Sequence, residues 1–141
     1  AKKEVGEKKY DVVSLLIGVN NEFQGRSIQD FKPQFQACID FAIEHCKQGA
    51  NGVFIVSIPD YGYTPFGKSK KGSISPRIDA NNRVCKEIAT KENVMYFDIT
   101  EISRQKDKNN ELVAKDGLHP SAKQYELWVD SFHSEVFKMF K

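Results

Sequence analysis

Unbroken apolar runs alternate with amphipathic stretches along this chain, which predicts parallel strands joined by crossover helices. The first run, Asp11-Val12-Val13-Ser14-Leu15-Leu16-Ile17, ends at Gly18 and lacks the polar alternation of a half-solvated strand, so it predicts a central strand. Ser27, with Asp30 three residues on, predicts a capped helix whose apolar side carries Phe31, Phe35, Cys38, Ile39, Ala42 and Cys46, with Gly49 marking its end. A second strand over residues 52–58 stops at Pro59 and runs into an irregular stretch reaching Ser75. A loop that long in a compact domain is more often functional than not. Ser75 as a cap and Pro76 at the first helical position open the next helix, with Ile78, Cys85, Ile88 and Ala89 on its buried side. A third strand covers residues 94–99. The last helix turns Tyr125, Trp128, Val129, Phe132, Val136 and Phe140 inward. With no repeat and no linker, residues 1–141 read as one α/β domain.

The start of the chain changes that picture. Residues 1–9 resemble the frayed end of a helix, with Gly6 as terminator, leading straight into the expected central strand. A strand with both faces apolar needs neighbours on both edges, and three strands leave one edge open. The expectation is therefore the C-terminal part of a larger domain whose N-terminal strands lie outside this chain, or a sheet completed by another chain.

Composition excludes more than it identifies. The 21 basic and 19 acidic residues are scattered and leave a net charge of +2, which makes no electrostatic case for nucleic acid. No apolar run approaches the roughly 20 residues that span a bilayer. Three cysteines cannot all pair within one chain, and Cys38 and Cys46 fall about 12 Å apart on one helix, too far for a disulfide. All three, Cys85 included, read as buried thiols. That favours a reducing compartment, yet a removed or upstream secretory signal fits the same residues, so localisation stays open.

The chemistry concentrates in Asp116-Gly117-Leu118-His119-Pro120-Ser121, which sets a carboxylate and an imidazole three residues apart in a turn that opens a helix. A hydrolase triad uses a histidine to carry a proton and a carboxylate to orient it, so this turn supplies two of three groups. The bland reading is a helix-capping turn, with Asp116 bonded to the first amides. Gly18-Val19-Asn20-Asn21 follows the first strand, at the sheet edge where α/β proteins bind ligands. An asparagine aimed at a developing oxyanion is worth about 3 kcal/mol of barrier; alternatively, the two asparagines only shape a loop. Ser14, Ser27, Ser57, Ser75 and Ser121 are placed in strands or caps and lack the Gly-x-Ser-x-Gly context of a nucleophile elbow. Residues 67–72 lack the order of a phosphate loop. His45 and His133 read as surface or capping residues. Tyr61, Tyr63 and Phe66, on the long connection, are candidates to line an acyl or alcohol pocket.

Gly18-x-Asn20-Asn21, Ile58-Pro59-Asp60-Tyr61-Gly62 and Asp116-Gly117-Leu118-His119-Pro120 together resemble the later blocks of the SGNH, or GDSL-type, hydrolases, and the likeness covers most of the chain. It implies a three-layer α/β/α sandwich on a parallel, flavodoxin-like sheet. It also implies serine ester hydrolysis without metal or organic cofactor, with Asn20 in the oxyanion hole, Gly18 beside the substrate, Asp116 as orienting acid and His119 as base. Asn21 departs from the Asp more usual in its block. The Gly-Asp-Ser block that supplies the nucleophile does not occur in this chain, nor does the block that supplies a second oxyanion donor. The resemblance thus leads to an ester hydrolase whose serine comes from a missing N-terminal segment. The alternative is a non-catalytic binding module of the same fold.

Overall fold

The computed structural model describes residues 2–105 and 108–140; Ala1, Lys106, Asp107 and Lys141 lie outside the described residues. Three parallel strands, β1 (Val13–Leu15), β2 (Val53–Val56) and β3 (Met95–Phe97), pair in the order β1-β2-β3, with Val13 beside Val53 and Phe54 beside Met95. The helices are α1 (Lys2–Val5), α2 (Val19–Phe23), α3 (Ile28–His45), α4 (Lys71–Lys91), α5 (Thr100–Ser103), α6 (Asn109–Leu112) and α7 (Ala122–Lys138).

The strand pleat sorts the core into two layers. Val53 and Ile55 of β2 pack with Phe35, Ile39, Ile78 and Cys85 of α3 and α4, while Phe54 and Val56 face Trp128 and Met139 at the α7 side. Successive side chains of a strand point to opposite faces, so the continuous apolar run in β2 covers both. Each fully buried Ile or Phe contributes roughly 1.5–3 kcal/mol of hydrophobic stabilisation. The expected α/β sandwich with a parallel sheet is the observed architecture, and the carboxyl ends of the strands lead into α2, the 59–70 loop and α5.

Ser27 caps α3 as its sequence predicts, its Oγ accepting from Asp30 N–H at 3.1 Å. The next helix departs from expectation. It begins at Lys71 rather than after Ser75, because Ile74, only 2 % exposed, is drawn into the core and carries the first turn with it. Pro76 therefore sits inside α4, near enough to its start that only one backbone bond is forgone.

Among the described residues β1 lies at the sheet edge, where its apolar run predicts a central position. Leu16 and Ile17, just past it, are more than a third exposed. The unpaired side opens on a groove of about 400 Å³ lined by Tyr10, Val13, Leu15, Phe41, Ala42 and His45. Cys38 lines that groove too and is only partly buried, unlike Cys46 and Cys85. The apolar stripe of α7 is half covered for a related reason. Trp128 is buried and Phe132 and Val136 pack over β2 and β3, whereas Tyr125, Val129 and Phe140 extend past that cover and stay exposed.

Candidate active site

The turn before α7 is built by its own backbone. Ala114 N–H donates to His119 O at 2.7 Å, Ser121 N–H to Leu112 O at 2.8 Å, and Gly117 N–H to Ala114 O at 2.9 Å. Gly117 takes φ 74, a left-handed geometry that a side chain would strain. Ser121 caps α7 by accepting from Gln124 N–H, and the Gln124 amide donates to Leu112 O, so the turn and the helix start are locked together.

Inside this frame Asp116 does two things. Its Oδ1 accepts from the backbone N–H groups of Leu118 and His119 at 2.9 and 3.0 Å, and its Oδ2 meets His119 Nδ1 at 2.6 Å. The capping reading and the acid-base reading thus describe the same residue. Those backbone bonds, followed by the imidazole contact, hold the Asp116 carboxyl down at about 2, so it is a carboxylate at neutral pH. A carboxylate only accepts; Nδ1 therefore carries the proton, and neutral His119 keeps its basic lone pair on Nε2. The His119 side chain is 71 % exposed, open to a reacting partner.

Asn20 reaches the same place by a different route. Gly18 ends the β1 segment with φ 121 and caps α2, and the one-turn helix then presents Asn20 beside the sheet's carboxyl edge. Its neighbour Asn21 is engaged elsewhere, donating to Gln34 at 3.0 Å. A cavity of about 370 Å³ is lined by both Asn20 and His119, with Val19, Phe23, Leu118 and Trp128 among its apolar walls. The long loop adds Pro59, Asp60, Tyr61 and Thr64.

That loop is anchored from below. Asp60 is buried, with Oδ1 accepting from Gly62 N–H at 2.8 Å and Oδ2 from Arg104 Nε at 3.0 Å. Arg104 also pairs with Asp79 and Glu101. Asn82 brackets Ile58, accepting from its N–H at 2.8 Å and donating to its carbonyl at 3.0 Å. The loop is therefore a fixed wall rather than a loose connection.

Of the four residues offered as substrate contacts, Tyr61 lines the cavity and Gly18, Tyr63 and Phe66 do not. Gly18 is buried beneath the site, where its Cα faces Ile58 and Phe31. Tyr63 lies under the Lys71 ammonium, 3.7 Å from the ring centre. Phe66 braces the turn from outside: its N–H donates to Gly117 O at 3.0 Å, and its ring neighbours Phe23. Sequence reasoning missed Phe23 and Gln124 as lining residues, and Asn82 and Arg104 as supports. It also missed Glu22, a fully buried carboxylate joined to Arg77 at 2.6 Å. A five-residue helix shows no periodicity to betray which side chain turns inward.

Among the described residues no helix is long and apolar enough to cross a membrane, and no three His, Cys, Asp or Glu side chains gather to hold a metal ion.

Comparison with known proteins bears on the family and the fold. Residues 2–127 match the GDSL-like Lipase/Acylhydrolase family. A multidomain esterase of Ruminococcus flavefaciens is 30% identical over 121 residues, which is 84% of this chain and 15% of that protein. A solved structure of an acetyl xylan esterase from Geobacillus stearothermophilus superposes with a TM-score of 0.69 at 19% identity, over 96% of this chain and 66% of that one. The chain thus spans a small part of the curated relative and about two-thirds of the structural one. The likeness in structure carries the fold, the match to residues 2–127 carries the kinship, and the chain belongs to the GDSL-like lipase/acylhydrolase family.

Proposed function

We propose that this chain carries the acid-base and oxyanion half of a serine ester hydrolase. The observation that supports the reading is the opening of one cavity onto both the Asp116–His119 pair and Asn20. In this reading His119 Nε2 takes the proton from a serine hydroxyl as the oxygen attacks the ester carbonyl. Asn20 donates its amide N–H to the oxyanion of the tetrahedral intermediate. The imidazolium returns the proton to the leaving alcohol, and the same groups then activate water to release the acid. Asp116 fixes the Nδ1–H tautomer and stabilises the imidazolium throughout. Tyr61 and Phe23 wall the acyl or alcohol side of the cavity.

The serine comes, in this proposal, from a segment that adds a strand to the open edge of β1. Among the described residues this edge is unpaired and lies beside an apolar groove, so it has the hydrogen-bonding groups and the surface to receive one. Such a strand would end at the carboxyl edge of the sheet, next to Asn20 and His119.

The test uses the protein bearing that segment and a chromogenic acetyl ester. His119→Ala should lower kcat/KM by at least about a thousandfold, and Asn20→Ala by roughly a hundredfold or more with little change in KM. A fluorophosphonate should label one serine in the native protein. Undiminished turnover in His119→Ala, or folded protein that takes no label, would refute the assignment.

A further inference from the structure

Glu22 is a buried charge next to the site with no part in the chemistry above. It lies two residues after Asn20 on the same one-turn helix, and its side chain is fully enclosed. Its Oε1 receives Arg77 Nε at 2.8 Å and Nη2 at 2.6 Å. Oε2 makes no hydrogen bond of normal geometry. Burying an ion without full compensation is costly, so a carboxylate held this way calls for a purpose.

The purpose follows from what else holds α2. Five residues cannot sustain a helix by themselves, since isolated helices below about 12–15 residues are marginal in water. The conformation of α2 is therefore imposed by its contacts. They include Val19 against the core, an exposed bond from Asn21 to Gln34, the ring of Phe23 beside Tyr61, and the Glu22–Arg77 pair. In the last, a directional bond is made by a fully enclosed carboxylate, although its Arg77 partner is half exposed. Two guanidinium N–H groups converging on one oxygen fix the rotation of α2 about its axis, and with it the direction of the Asn20 amide. Tyr61 reports the same enclosure: burial, and after it the Glu22 carboxylate, push its phenol well above the ordinary range.

We propose that Glu22 and Arg77 are positioning residues that pin α2 to α4 and so hold the Asn20 amide in the direction an ester oxyanion needs. The proposal rests on the role given to Asn20 above.

Two measurements separate this inference from that reading. In the ester-cleaving protein, Arg77→Met should lower kcat on the order of 10- to 100-fold with KM within about twofold, because the donor is misdirected rather than removed. Arg77→Lys, which can still meet Oε1, should recover most of the loss. In an Asn20→Ala background, Arg77→Met should cost less than about twofold, since the donor it orients is already gone. Independently of turnover, the Asn20 side-chain amide pair in a nitrogen-proton NMR spectrum of this chain should shift or broaden in Arg77→Met and stay fixed in Lys91→Met, a change elsewhere on α4. Glu22→Gln should act in the same direction; it removes the charge that Arg77→Met leaves enclosed without its partner, so it should fold even where Arg77→Met does not. An unmoved Asn20 signal in Arg77→Met would overturn the proposal, as would a loss of kcat equal in both backgrounds. A protein that cleaves no ester refutes the functional reading instead, and the NMR comparison still decides whether Glu22 and Arg77 set the direction of Asn20.

Discussion

Replacing Gly18 by alanine puts a methyl group where the chain has no room for one. A Cβ at this position would stand 2.6 Å from Ile58 Cδ1 and 3.0 Å from Phe31 Cε2. Ile58 and Phe31 are 1 % and 2 % exposed, so neither can swing aside into solvent. The backbone adds a second cost, because φ 121 with ψ −18 lies outside the regions open to side-chain-bearing residues. Such strain costs about 1–3 kcal/mol, and forcing a methyl into a packed core costs about 1–3 kcal/mol more. A loss of about 3–4 kcal/mol is a large part of the roughly 5–15 kcal/mol that stabilises a domain. With a urea slope of about 1–3 kcal/mol/M, the unfolding midpoint should fall by roughly 2 M. Gly25→Ala is the control: it too has positive φ, 66, but a Cβ there meets nothing within 4 Å. It should cost only about 1–2 kcal/mol, the left-handed penalty alone. Equal midpoints for the two variants, measured by fluorescence of Trp128 in urea, would refute the claim that Gly18 is required by close packing.

Asp116 is held at about 2 in the folded chain against about 3.9 unfolded, so its contribution to stability is present above about pH 4 and is lost as pH falls toward 2. Wild type should therefore unfold at a higher temperature than Asp116→Asn at pH 6, with the gap closing near pH 2; a gap independent of pH would contradict the assignment. Asn82→Ala removes three buried hydrogen bonds, to Ile58 N–H, Ile58 O and Thr100 Oγ1, and should cost about 2–4 kcal/mol in chemical unfolding. Burial pushes the Cys85 thiol up to about 12, whereas Cys38 faces the open groove. A disulfide-exchange reagent should modify Cys38 first in native protein and reach Cys46 and Cys85 only when denaturant is added.

What could be read from the sequence was what is local. Strand cores declare themselves by apolar runs, and the α3 cap by Ser27 with Asp30, because those signals lie within a few residues. The Asp116–His119 contact was legible for the same reason. The start of α4 was misplaced because Ser75-Pro76 gives a strong local signal that the burial of Ile74, a tertiary effect, overrides. Phe66 is a different case: the sequence puts it in the long loop, but only the bond from its N–H to Gly117 O shows that it supports the turn from outside. Glu22, Asn82 and Arg104 left no trace because a buried polar side chain is defined by partners 55, 24 and 44 residues away.

The Asp116–His119 pair closes over three residues, whereas Asn20 reaches the same cavity from nearly a hundred residues away. Because closing a loop costs more entropy as it lengthens, assembling the distant member is about 3 kcal/mol dearer than assembling the pair. On warming, the two parts of the site should therefore come apart in order. The imidazole keeps its carboxylate in a partly loosened chain, while the direction of the Asn20 amide depends on the whole sheet edge being intact. Heat inactivation of such a site would begin as a loss of alignment, with its proton-carrying pair still formed.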